Sequence, residues 1–240
     1  LDHGAEIEAK QLKTKITPLW MAAQNGHVEV VKLLLDKGAD IGANDVEGIT
    51  TLWIASQNGH AEVVKLLLDN NADVDAKRKS DGATPLLLAA KNGHIEVMKL
   101  LLDRGADIET NNIDGITPLW IASQEGHIEV AKLILDHGAE IEAKQLKTKI
   151  TPLWMAAQNG HVEVVKLLLD KGADIDANDI DGITALWIAS QENHNDVVKL
   201  LLDHGADMEA KKLKTEITPL WKTAQNGHVE VVKLLLDKGA

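Results

Sequence analysis

Histidine is the side chain most able to supply general-base or metal-ligand chemistry near neutral pH, and this chain carries ten. Seven recur in one setting, one residue ahead of an apolar helical run: His27, His60, His94, His127, His161, His194 and His228. The other three, His3, His137 and His204, stand in Asp-His-Gly. Ligands of one zinc ion lie about 2 Å from the metal. Equivalent positions on packed neighbouring helices lie about 10 Å apart, so such a row cannot share an ion. No nucleophile and base accompany it, and these are read as turn residues. The acidic run Asp174-Ile175-Asp176-Ala177-Asn178-Asp179-Ile180-Asp181-Gly182 has carboxylates at calcium-loop spacing. It places Asp179 at the sixth position, where a sharp turn needs glycine, and Ala185 at the twelfth, where a bidentate glutamate belongs. The absence of cysteine removes disulfides and thiolate zinc sites. No catalytic residue, metal site or cofactor is expected.

The tryptophans are more informative. All six, Trp20, Trp53, Trp120, Trp154, Trp187 and Trp221, stand three residues after a threonine, as in Thr17-Pro18-Leu19-Trp20. Those threonines and Thr84 recur at steps of 33 or 34 residues, the signature of stacked supersecondary units. Within one unit, Thr17 is a helix N-cap and Pro18 takes the first helical position, where a missing N–H costs nothing. Leu19, Ala22 and Ala23 share a face, and Gly26 ends the helix. A second helix from about His27 to Lys37 presents Val28, Val31, Leu34 and Leu35 as an apolar stripe, and Gly38 supplies a left-handed cap. Where a capping glycine is missing, Asn71 and Asn193 replace it, the next most tolerant choice in that conformation. Helices this short are not stable alone, so each unit needs neighbours.

The pattern Thr-Pro-Leu-x-x-Ala-Ala-x-x-Gly-His-x-Glu-Val-Val-x-Leu-Leu-Leu-x-x-Gly-Ala-Asp resembles the ankyrin repeat, seven times over essentially the whole chain. The resemblance implies an all-α repeat solenoid: antiparallel helix pairs starting near 17, 50, 84, 117, 151, 184 and 218, joined by β-hairpin-like fingers into a single array over 1–240. It implies a non-enzymatic scaffold that binds another protein through its concave inner-helix face and finger tips. This chain departs from the family by carrying tryptophan, or Leu87 in the third repeat, where histidine is usual. The tryptophans are expected to form a packing ladder with their N–H groups bonded to backbone. The alternative makes them binding anchors, since tryptophan is enriched at interface hot spots. Gln24, Gln57, Lys91, Gln124, Gln158 and Gln191 are the expected polar contacts beside them.

The connectors alternate in charge. The longer ones are basic (Lys10, Lys13, Lys15; Lys77, Arg78, Lys79; Lys144, Lys147, Lys149; Lys211, Lys212, Lys214) and the shorter ones acidic or neutral (Asp45, Glu47; Asn111, Asn112, Asp114; Asp179, Asp181). Adjacent fingers would attract weakly, or the strip would select a partner electrostatically through Lys13, Lys79, Lys147 and Lys214. The longer connectors put Lys15, Lys149 and Glu216 where the shorter ones have a turn glycine, which predicts a different turn. With a net charge of −12, nucleic acid is not an expected partner. No apolar run reaches the roughly 20 residues that span a bilayer and no secretory signal pattern is present, so the expected location is intracellular, in the cytoplasm. Residues 1–41 repeat as 135–175, an offset of 134 or two units of 67, which with the alternating connectors makes the period a pair of repeats, and the chain reads as a segment of a longer array. Lys222 and Thr223 mark a degenerate last repeat, whose Val231, Leu234 and Leu235 are expected to form an exposed apolar end able to self-associate. A second class of function, a structural spacer or spring with no partner on this segment, fits the same repeats.

Overall fold

The computed structural model describes residues 6–240; residues 1–5, and with them His3, lie outside the described part. The described residues form fourteen helices and no strand. The first helices of the seven pairs are α1 (Pro18–Gln24), α3 (Thr51–Gln57), α5 (Pro85–Lys91), α7 (Pro118–Glu125), α9 (Pro152–Gln158), α11 (Ala185–Gln191) and α13 (Pro219–Asn226). Their partners are α2 (Val28–Asp36), α4 (Ala61–Asp69), α6 (Ile95–Asp103), α8 (Ile128–Asp136), α10 (Val162–Asp170), α12 (Asn195–Asp203) and α14 (Val229–Asp237).

The helix starts are dictated by the sequence. Every first helix is capped by its threonine, whose side-chain oxygen accepts the main-chain N–H three residues on, as from Trp20 to Thr17 at 3.2 Å. The second helices begin after histidines that make no side-chain cap bond. The anticipated left-handed positions are left-handed, including Asn71 at φ 64° and Asn193 at φ 63°.

The chain divides into two compact units, Leu1–Ile113 and Asp114–Ala240. The first holds α1 to α6, with α1, α3 and α5 packed in sequence beside α2, α4 and α6. The second holds α7 to α14, stacked by the same rule. Helices of seven to nine residues persist because they are so thoroughly covered. In α3, Thr51 to Ser56 are all buried, and in α4 Val63, Val64, Leu67 and Leu68 are buried. Each such aliphatic side chain contributes about 1.5–3 kcal/mol by leaving water, which a lone short helix cannot collect.

The connectors are compact fingers with only isolated antiparallel bridges, at Asn44–Thr50, Asn178–Thr184 and Lys212–Ile217. Numbered in chain order, fingers 2, 4 and 6 are short. Fingers 2 and 6 each close with a bond from an aspartate N–H (Asp45 to Ile49, Asp179 to Ile183) around a three-residue-span turn ending in Gly48 or Gly182. Fingers 1, 3, 5 and 7 have one more residue. Their turns close over four residues (Lys15 to Gln11, Gly82 to Arg78, Lys149 to Gln145, Glu216 to Lys212). The extra residue changes the turn type, as its insertion suggests, yet the left-handed residue survives. Lys15 and Lys149 sit at φ 63° and Glu216 at φ 56°, a conformation that costs a side-chain-bearing residue about 1–2 kcal/mol relative to glycine. The tips are joined by one main-chain bond per neighbour within each unit. Val46 donates to Thr14, Lys79 to Glu47 and Ile113 to Asp81; in the second unit Leu146 donates to Asp114, Ile180 to Thr148 and Leu213 to Asp181.

Candidate functional site

The histidine rows are staples. The ring Nε2 of His60 lies 3.0 Å from the main-chain carbonyl of Gln24 in the preceding repeat; His94 pairs likewise with Gln57, His161 with Gln124, His194 with Gln158 and His228 with Gln191, at 2.8–3.0 Å. A carbonyl can only accept, so Nε2 carries the proton. The imidazole also lies on the glycine that ends the preceding first helix: a Cβ on Gly59 would come within 2.7 Å of His94. That glycine is therefore required twice, by its φ of 76° and by its neighbour. His137 and His204 turn back on their own helices, with Nδ1 2.8 Å from the carbonyls of Leu133 and Leu200. Among the described residues no group of three metal-ligating side chains converges. The carboxylates of the acidic run cap turns instead: Asp179 Oδ1 accepts the N–H groups of Asp181 and Ile183, and Asp174 Oδ1 accepts that of Asp176.

The tryptophans divide into two kinds. Trp20, Trp53, Trp120, Trp154 and Trp187 are between 1 and 7% exposed. Each indole N–H donates to the residue that closes the next finger: Trp20 to Ile49, Trp53 to Ala83, Trp120 to Ile150, Trp154 to Ile183 and Trp187 to Ile217, at 2.8–3.1 Å. The same carbonyl already takes the hairpin bond of its own finger, as Ile49 does from Asp45 and Ala83 from Arg78. The indole therefore fastens the base of one finger to the helix pair before it. Arg78 also lies over the Trp53 ring, 5.0 Å from its centre, a cation–π contact. Trp221, with no finger packed on it among the described residues, is 50% exposed.

Gln24, Gln57, Gln124, Gln158 and Gln191 are half-buried at the ends of their helices, and Lys91 is exposed. The side-chain amides of Gln24, Gln57, Gln124 and Gln158 make no hydrogen bond among the described residues, while Gln191 Nε2 donates to Glu192 at 2.8 Å. Of the finger lysines, Lys147 reaches Asp114 on the adjacent finger at 2.9 Å, and that carboxylate raises its pKa. Lys79 donates to the carbonyl of Val46 at 3.1 Å. Lys13 and Lys214 form no ion pair among the described residues. A cleft of about 330 Å³ opens between fingers 2 and 3, with Asn44, Thr50, Asp73 and Lys77 on its walls, and no acid–base or nucleophile set converges there.

Two features escape a reading of the sequence. The first is an ionic alternation along the second helices. Arg104 pairs with Asp69, Lys171 with Asp136 at 2.9 Å and Lys238 with Asp203 at 2.8 Å, each one repeat back. In the even repeats the equivalent residues, Asn70, His137 and His204, bond to their own helices instead. The duplicated two-repeat unit is thus also a unit of cross-linking, a signal present in the residue after each Leu-Asp. Hydrogen bonds from Lys171 and Lys238 hold the Asp136 and Asp203 carboxyls below their ordinary range. The second feature corrects the expected end surface. Val231 and Leu235 are fully buried against their own repeat and α12, and Leu234 is half-buried; the exposed apolar residues of the last pair are Trp221, Val229 and Leu236.

Stacked antiparallel helix pairs, capped by threonine and linked by bonded fingers, define an all-α repeat solenoid. A model of ankyrin repeats in three copies matches residues 1–78, 52–145 and 142–212, and a single-repeat model matches 215–240. The chain belongs to the ankyrin repeat family. The human ASB11 ankyrin repeat domain superimposes with a TM-score of 0.85 at 27% identity, over 94% of this chain and 99% of that one. The Ankyrin repeat and KH domain-containing protein mask of Drosophila melanogaster is 50% identical over 46 residues, 19% of this chain and about 1% of that protein's length. Ankyrin repeats are generally protein–protein interaction modules, and the fold is typically non-enzymatic. No helix among the described residues is long and apolar enough to cross a membrane.

Proposed function

We propose that this chain is a binding scaffold that holds a protein partner along the row of first-helix ends and the finger tips. The observation that carries this reading is the contrast between spent and unspent groups. The main-chain carbonyls of Gln24, Gln57, Gln124 and Gln158 are taken by the next histidine, while their side-chain amides make no hydrogen bond among the described residues. Within each unit those amides, with Lys91 in the first and Gln191 in the second, form a polar row held in register by the staples. Lys13, Lys79, Lys147 and Lys214 add positive charge at alternate tips, which speeds encounter with an acidic surface more than it tightens the complex. Trp20, Trp53, Trp120, Trp154 and Trp187 are buried and serve the scaffold itself.

Affinity capture from a lysate of the source cell, and then purified binding measurements, tests the proposal. A defined protein should be retained, Gln124→Ala with Gln158→Ala should weaken it several-fold, and Lys147→Ser with Lys214→Ser should slow association and reduce its salt dependence. Retention of a partner unaffected by all four substitutions would remove these surfaces from the account. A spacer role is favoured by the bonded tips and staples, which tie repeat to repeat, and it predicts no specific capture at all.

A further inference from the structure

Within each unit the finger tips carry an apolar row that the charged connectors conceal in the sequence. Leu12, Val46, Ile113, Leu146, Ile180 and Leu213 stand one to a tip and are between 43 and 99% exposed; finger 3 alone breaks the pattern, with Lys79. The position is held by backbone, since the residues from Val46 onward are those whose N–H groups bond the preceding tip. Single exposed aliphatics are ordinary, but a row of them on rigid backbone marks an interaction surface. In the second unit three consecutive tips, Leu146, Ile180 and Leu213, are uninterrupted, and each is 54–56% exposed. Their flanks alternate in sign: Lys144, Lys147 and Lys149 on finger 5, Asp179 and Asp181 on finger 6, Lys211, Lys212 and Lys214 on finger 7.

We propose that this strip docks a second copy of the same chain, the two strips running antiparallel about a two-fold axis between fingers 5 and 6. The charge pattern argues for a second copy as occupant and limits the axis to a position between two oppositely charged fingers. Symmetry that sets finger 5 against finger 6 of the second copy also sets finger 6 against finger 5 of the second copy, so lysines face aspartates twice. Moving the axis onto finger 6 would set aspartate against aspartate and is rejected by repulsion. About the axis, Leu146 and Ile180 of both copies meet as a four-residue apolar cluster, covered at its rim by lysine stems. A stable dimer buries roughly 800 Å² per partner; three half-exposed side chains supply only part of that, so the association is weak and dependent on concentration. The inference rests on the fingertip half of the proposed function and names its partner.

Sedimentation across a concentration series tests it. Because the net charge of −12 repels the copies while the tips attract, salt acts on both and substitutions are the cleaner probe. The unmodified chain should show mass rising toward a dimer, and Leu146→Ser with Ile180→Ser should weaken association at least tenfold while leaving the circular dichroism unchanged. Asp181→Lys, and separately Lys144→Glu with Lys149→Glu, should each weaken it. Glu216 occupies the slot equivalent to Lys149 with the same left-handed backbone, so that replacement is accommodated. An equimolar mixture of the two charge variants regains one of the two matched contacts and should associate more tightly than either alone. A monomer at all concentrations would overturn the proposal; so would a mixture behaving as the sum of its parts, or a dimer abolished by Leu236→Lys on the end face and indifferent to the tip variants. A monomer whose binding to a captured foreign partner still falls with the lysine substitutions would leave the fingertip function standing and the second copy refuted.

Discussion

Trp53 and Trp221 occupy the same place in the same motif, each three residues after a capping threonine whose oxygen accepts its N–H. One is 1% exposed and the other 50%. The difference lies in the neighbouring finger. Trp53 has finger 3 against it, with the Ala83 carbonyl 2.8 Å from its indole nitrogen and the Arg78 guanidinium over its face; Trp221 has no finger against it among the described residues. The local sequence thus sets the backbone and the helix start, while the burial of the indole belongs to the neighbour. This is how a quasi-one-dimensional protein distributes its stability.

Replacing each residue by alanine should break the symmetry of the pair most clearly. Trp53→Ala empties a closed site and should lower unfolding free energy in urea by about 3–5 kcal/mol, a large share of the roughly 5–15 kcal/mol typical of a folded domain. Trp221→Ala removes a half-wet side chain and should cost about 1 kcal/mol; equal losses would make the indole a local rather than a neighbour-dependent element. The glycines offer the same contrast at smaller scale. Gly59 and Gly227 share a φ of 76°, but only Gly59 has a histidine against the position of its absent Cβ. Gly227→Ala should cost the left-handed penalty of about 1–2 kcal/mol, and Gly59→Ala more, with the His94 ring resonances in NMR spectra displaced from their unmodified positions.

Much of this architecture is legible in the residues alone. Thr17, Pro18 and Gly26 announce the first helix through capping chemistry, and Asn71 and Asn193 keep the left-handed slots recognisable after the glycine is gone. The indole bond to backbone is foreseeable as a type of contact; its acceptor is not, because Ile49 lies 29 residues on and only the stacking brings it near. The end surface departs from expectation for a related reason. Helical periodicity shows that Val231 and Leu235 belong to an apolar stripe, but not whether that stripe faces its own partner helix or the next repeat. The apolar tips are hidden by lysines on either side, since a lone Leu146 in a polar run has no period to reveal it until the fingers are aligned.

Finer substitutions sharpen the comparison. Trp53→Phe keeps most of the packing and deletes the N–H. The Ala83 carbonyl retains its bond from Arg78, so the loss should be near 1 kcal/mol, while Trp221→Phe should be neutral in the same urea titration. The smallest effect concerns the ionic links. Asp136 is held below its ordinary value of 3.8 by Lys171, so its contribution is present above that pH and is lost as pH falls through the lowered folded-state value. Lys171→Gln should therefore melt slightly lower than the unmodified chain at neutral pH, by a gap that narrows as the pH falls below the ordinary carboxylate range; a gap that widens in acid would contradict the assignment.

Each tie between modules, whether imidazole to helix end, indole to finger base or tip to tip, reaches one repeat along the chain and stops. A cassette of two repeats can consequently be copied in or lost without stranding a donor or an acceptor, because the groups exposed at the cut are those the junction supplies again. The 41-residue identity between 1–41 and 135–175, an offset of 134 residues or two such cassettes, is the kind of trace that such tolerant lengthening leaves in a gene.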